Sequence, residues 1–329
     1  MIVGRDFSGG SGAAAAGRTG EKAGPAQRAA LYAALAALVV ALATLTWAGV
    51  TGGAESGHTG GSADSGRTSA EDGRGAQDPD LSGSPSGRPA GEDALVANPL
   101  YETGRLAPLP CPAPVLDIDS PESVEAFLHT IADCLDHTWE RQFRRAGIPF
   151  TPPERVFWSE PGTSPCRAYP SSAGAFYCRA NTSLYIGTSD VVAKWNRTEE
   201  SAVYASLLAH EYGHHVQGES GLLEYYHERR RLEPDKLDQN AWTRKSELQA
   251  NCLAGVFLGS IEVTYPLTEG DVDAVLDDAT ATADREDGPE EERTHGSAEN
   301  SARWTEHGLV HQSPGACNTW DVDDEALVQ

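Results

Sequence analysis

The hydrophobic pattern of this chain changes character three times. From Ala29 to Val50 run 22 consecutive uncharged residues, AALYAALAALVVALATLTWAGV. As a helix they would span roughly 33 Å, enough for a bilayer core of about 30 Å. From Thr51 to Ala107 the apolar signal fades: Gly, Ser and Pro supply 12, 7 and 4 positions, and Tyr101 is the only aromatic. Such a segment buries too little apolar surface to offset the entropy of ordering, so 51–107 is predicted to be a disordered linker. Beyond Pro108 periodicity returns. Val124, Phe127, Leu128, Ile131, Leu135 and Trp139 recur at helical spacing, opened by Ser120 or Pro121 and closed by Gly147. ERVFWSE and AFYCRANTSLYIGT, rich in aromatic and β-branched residues, are predicted strands. The strand around Ala180–Thr188 is a candidate to pair with an extended peptide. Thr198 is predicted to cap a helix through about Gln217, with Gly218 as its stop, and Asp235 another through about Leu258. A further helix follows Asp271, and an acidic loop at 284–292 leads to a last helix ending near Gly308. The fold class is α+β, mainly helical with a small sheet, in one domain over 108–323.

Charge adds orientation. Arg5, Arg18, Lys22 and Arg28 precede the uncharged run, and no Lys or Arg follows it until Arg67. This asymmetry places residues 1–28 in the cytoplasm, makes 29–50 a single-pass transmembrane signal anchor, and puts the rest of the chain outside the cell. A cleaved signal peptide, with Thr46-Trp47-Ala48 as the processing site, is the alternative. Its apolar region is typically ~7–15 residues, so the length favours the anchor. Both readings export the domain. The formal net charge of −24 repels phosphate backbones and argues against nucleic acid as a partner. The six cysteines, Cys111, Cys134, Cys166, Cys178, Cys252 and Cys317, form no CxxC pair. An even count in an exported domain predicts disulfides, with Cys166–Cys178 the first pairing, across a turn-rich insert, and Cys252–Cys317 the second.

The candidate chemistry sits in the first capped helix. His210-Glu211-Tyr212-Gly213-His214 fits H-E-x-x-H. Residues four apart share one helical face, so His210 and His214 can offer two imidazole nitrogens to one cation, and neutral imidazole suits Zn²⁺. Glu211 can reach a water in the open coordination position and accept its proton. The third ligand separates the zincin classes. A metzincin pattern needs Gly at 217 and His at 220, where this chain has Gln217 and Ser220, and a Met beneath the metal, yet the only Met is Met1. A thermolysin-like arrangement needs a carboxylate on a later helix and an acceptor four residues on. Glu247 and Asn251 supply these, with Leu237, Ala241, Leu248, Cys252 and Val256 predicted to face a core.

HEYGHHVQ, ELQANCLAG, HGSAENSARWTEHG and CNTW, in that order, resemble the motifs of the neutral zinc metallopeptidases of bacteria, the YpfJ-like membrane-associated group. The resemblance covers roughly 108–323. It implies a zincin-like domain with one zinc ion held by His210, His214 and Glu247, and Glu211 as catalytic base. The chain departs from that family's pattern at Asn251, where Asp is usual, and at HGSAEN, where HGS or HGT is usually followed by a Gln-Arg pair.

His295, in the HGSA segment, is a candidate donor to the oxyanion formed when water attacks a carbonyl; capping a helix and filling the site wall are its other available roles. His215 is expected to hydrogen-bond structurally behind the zinc helix. The function these readings support is a membrane-tethered, exported zinc metallopeptidase acting on a peptide or protein substrate. Two alternatives stay open: a non-proteolytic envelope protein in which zinc staples the fold, and a zinc amidase acting on cell-wall peptides.

Overall fold

A computed structural model describes residues 87–170 and 174–329. The expected membrane span at 29–50 lies outside them; among the described residues no helix is long and apolar enough to cross a membrane.

Eight α-helices and five strands are described: α1 (Asp93–Val96), α2 (Pro121–Ala146), β1 (Glu154–Trp158), β2 (Gly162–Thr163), β3 (Ala168–Tyr169), β4 (Ala175–Cys178), β5 (Ser183–Gly187), α3 (Thr188–Lys194), α4 (Ser201–Glu219), α5 (Leu222–Leu232), α6 (Lys236–Ile261), α7 (Glu269–Ala281) and α8 (Ala298–His311). The domain is thus mostly helical with a small sheet. The periodic apolar face of α2, from Val124 to Phe143, is fully buried. The Ser120 side chain caps this helix by accepting from Ser123 N at 3.2 Å.

AFYCRANTSLYIGT forms two strands instead of one. A 3₁₀ turn at Arg179–Asn181 ends in Thr182 with φ 49°, which breaks the extended path and folds β5 back antiparallel to β4. The sheet order is β1-β5-β4, with β1 parallel to β5. This corrects the expectation for Ala180–Thr188. β5 is the central strand, hydrogen-bonded on both edges and buried along its length, so it has no edge to offer a peptide.

Helix limits also move. Asn196 and Arg197 adopt left-handed conformations, and Thr198 Oγ1 accepts from Glu200 N, so Thr198 caps a turn ahead of α4 and the helix starts at Ser201. It runs past Gly218 to Glu219. α7 begins before Asp271, which forms a capping box with Thr268. α8 continues past Gly308, whose smallness serves packing: a Cβ there would overlap the Cys252 carbonyl of α6. Gly308→Ala therefore destabilises the domain by about 2 kcal/mol or more despite the better helix propensity of Ala. Gly270→Ala, in the first turn of α7, where a Cβ would meet only Thr268 Oγ1 at an ordinary contact distance of 3.7 Å, is the neutral control. Urea unfolding of both variants beside wild type measures the difference.

The ordered domain is larger than 108–323. Residues 87–107, assigned to the linker from sequence, are folded: Leu95, Leu100 and Leu106 are buried, and a 3₁₀ turn at Pro99–Thr103 follows α1. Their apolar residues are too few to show a period, yet each fills a gap in a core formed elsewhere. At the other end Val328 is buried, and Asn300 Nδ2 donates to the carbonyls of Ala326 and Gln329. Leu237, expected in the core, is 41% exposed because the first turn of α6 projects beyond its neighbours.

Three disulfides, Cys111–Cys134, Cys166–Cys178 and Cys252–Cys317, leave no free cysteine among the described residues. The unreduced, denatured chain should accordingly titrate no thiols, and six after reduction. Free thiols before reduction would show that the bridges do not form.

Candidate metal centre

α4 and α6 carry the site, and their close approach brings its residues together. α4 is buried around most of its circumference, from Ala202 and Tyr204 through Leu208 and Tyr212 to Val216. It presses on α6 at Gly213, where a Cβ would lie 3.1 Å from the Ala250 backbone. The residues flanking Ala250 on α6, Glu247 and Asn251, are thereby aimed at the histidines of α4.

Glu247 Oε2 lies 3.3 Å from His210 Nε2 and 3.3 Å from His214 Nε2. One ligand atom from each of the three lies within 4.8 Å of the others. The Nδ1 atoms are occupied from behind: His210 Nδ1 donates to Asn251 Oδ1 at 2.8 Å, and His214 Nδ1 to Gln217 Oε1 at 2.9 Å. Each imidazole is thus held from behind by its Nδ1–H, which turns both Nε2 atoms toward a common point. Two neutral nitrogens and one carboxylate oxygen form a donor set that fits Zn²⁺ and leaves room for a water.

Electrostatics agree with a cation site. Burial alone would hold His214 neutral, but the adjacent Glu247 carboxylate carries its pKa up to about 9. Burial opposes ionisation of Glu247, and the two histidines overcome it and keep its carboxyl well below the usual range. His215 is different. Burial pushes it down to about 3, and its Nε2 donates to the Thr151 carbonyl at 2.8 Å, which makes it a neutral strut between α4 and the segment leading to β1.

Gln217 is the residue that sequence reasoning passed over. Its amide is fixed on both sides, with Nε2 donating to Ser246 O and Gln249 Oε1 and Oε1 accepting from Ser246 Oγ as well as His214. The available signal was its position three residues after His214, on the same helical face.

A cleft of about 650 Å³ opens onto His210, Glu211 and Asn251. Glu211 is 9% exposed and does not belong to the converging triad. His295 lines the same cleft from the turn before α8. That turn is organised by Asp284, which accepts from the backbone N–H groups of Thr294, His295 and Gly296. Asp284 also raises the pKa of His295, whose Nδ1 lies 3.8 Å from the carboxylate. Asp284 stands in an acidic stretch with nothing in the sequence to single it out. Asn300, from the segment that departs from the family's pattern, ties down the C-terminus and does not line the cleft.

Fold and site together define a helical domain with an H-E-x-x-H helix and a converging set of two histidines and one carboxylate that could hold a metal ion. Residues 116–320 match the family described as "Putative neutral zinc metallopeptidase", and the chain belongs to that family. It is similar to the "Uncharacterized protein YpfJ" of Escherichia coli (strain K12), at 30% identity over 214 residues, covering 61% of this chain and 74% of the relative. The "Uncharacterized protein Mb2605" of Mycobacterium bovis and the "Uncharacterized protein Rv2575" of Mycobacterium tuberculosis are each 29% identical over 193 residues, covering 53% of this chain and 64% of the relative. No solved structure matches the chain. The family supports a zinc peptidase, and a peptidase acts on peptide or protein substrates.

Proposed function

We propose that this chain is a membrane-tethered, exported zinc metallopeptidase with a zincin-like domain. The observation that carries the reading is the convergence of His210 Nε2, His214 Nε2 and Glu247 Oε2, with Glu211 beside them in an open cleft. His210, His214 and Glu247 would hold the metal. Zinc bound there supplies a Lewis acid that polarises a carbonyl and acidifies water. Glu211, in the same cleft, accepts the proton of the attacking water and returns it to the leaving amine. His295, kept protonated more readily by Asp284, donates to the oxyanion as it develops. Asn251 and Gln217 keep the two imidazoles oriented through the cycle.

Full-length protein in detergent, incubated with a peptide library, should cleave peptides, and a chelator should abolish cleavage while the far-ultraviolet circular dichroism of the domain persists. A staple site predicts the opposite pattern: no cleavage, and unfolding on chelation. A cell-wall amidase would release products from cell-wall peptides and leave the library intact.

The tether rests on the uncharged run at 29–50 and the four cations before it. Protease added to intact cells should release the domain and leave an N-terminal tag protected. A soluble cytoplasmic pool of full-length chain would overturn the export reading.

A further inference from the structure

The cleft beside the metal centre has a second feature that the hydrolytic chemistry does not use. Opposite α4, its wall is the C-terminal half of α7, and its end is the turn that follows α3. Ala279, Ala281 and the ring of Trp195 are the apolar part of this lining, Asn196 and Thr282 its polar part, and α4 adds Leu207. One carboxylate, Asp278, interrupts this lining. Trp195 Nε1 donates to Asp278 Oδ1 at 2.6 Å and fixes the rotation of the carboxyl group. Among the described residues Oδ2 has no hydrogen-bond partner. Lys194, at the same end of the cleft, is paired with Asp190 at 4.0 Å, one turn back on α3.

A half-buried carboxylate in a partly apolar wall is costly to keep unless something completes it. Burial raises Asp278 only to about 6, so the group is anionic at neutral pH and presents a charge to the cleft. A cleft that combines apolar side chains with a fixed carboxylate oxygen is complementary to one kind of substrate side chain: an aliphatic stem bearing a cationic head. We propose that Asp278, oriented by Trp195, forms a subsite that selects a lysine or arginine side chain of the peptide substrate. The stem packs on Leu207 and Ala279, and the ammonium or guanidinium donates to Asp278 Oδ2. Asp278 does not touch the scissile bond, so it determines specificity and has no part in the proton transfers.

This inference rests on the proposed peptidase reading of the same cleft, and its test separates the two. Peptides of one sequence, with lysine, norleucine or glutamate placed in turn at each position flanking the cleaved bond, are given to wild type and Asp278→Asn. Asn has the same shape and retains an oxygen for Trp195 Nε1. At one position wild type should prefer lysine over norleucine at least 10-fold in kcat/KM, with glutamate the poorest, and Asp278→Asn should bring the lysine-to-norleucine ratio close to one. In parallel, fluorescence anisotropy measures equilibrium binding of the labelled peptides to full-length Glu211→Gln, with and without Asp278→Asn. The same preference should appear in Kd and vanish with the substitution. No preference in binding, or a preference that survives Asp278→Asn, overturns the subsite. Preferential binding of lysine peptides without cleavage of any peptide by wild type supports the subsite and overturns the peptidase reading.

Discussion

Replacing Glu211 by Gln should leave zinc bound at close to one ion per chain and lower peptide hydrolysis by a factor of roughly 100 or more. The geometry separates the two readouts. Glu211 lines the cleft but does not belong to the group of donor atoms lying within 4.8 Å of one another, so the metal loses nothing when its charge is removed. Gln keeps the size of the side chain and cannot accept a proton. Metal analysis and turnover on the same preparation check this, and loss of zinc from Glu211→Gln would assign Glu211 to coordination.

The complementary experiment is Glu247→Ala, for which zinc occupancy and activity should fall together. Glu247 supplies the only carboxylate oxygen in the triad, and its position 3.3 Å from each imidazole makes it the group that fixes their spacing. Asn251→Ala should be intermediate, at about 10–100-fold in affinity or activity, because it removes only the acceptor behind His210 Nδ1. Asn251→Asp puts back the residue the family usually carries. It offers an oxygen to the same N–H, so it should be tolerated. Full zinc occupancy in Glu247→Ala would place the third ligand elsewhere and end the thermolysin-like reading.

Several features were legible because they depend only on local geometry. An i,i+4 pair of histidines shares a helical face wherever the helix lies, so His210 and His214 could be paired from spacing alone. The amphipathic period of α2 and the cap at Ser120 are likewise written in consecutive residues, as is the single Met that removes the metzincin class. Helix ends were less legible where glycines misled. Gly218 and Gly308 read as stops, but α4 and α8 run through both, and Gly308 is small because a neighbouring backbone lies against it.

The sequence by itself determined the longer helices, α2, α4, α6, α7 and α8, and the H-E-x-x-H spacing, because each is fixed by residues within a turn or two of one another, and it carried the family pattern as the order of four short motifs. Only the tertiary structure decided what depends on which segments meet. It folded 87–107 and the C-terminus into the domain, because isolated apolar residues such as Leu95, Leu100 and Val328 acquire meaning only against a surface built by distant elements. It made β5 a central strand, since pairing partners are chosen across the sheet and not along the chain. It put Gln217 behind His214, Asp284 under the turn that carries His295, and Asp278 on the wall of the cleft. Side chains this common carry no signal until packing puts a specific donor beside each of them: a histidine Nδ1–H, three backbone amides and an indole N–H.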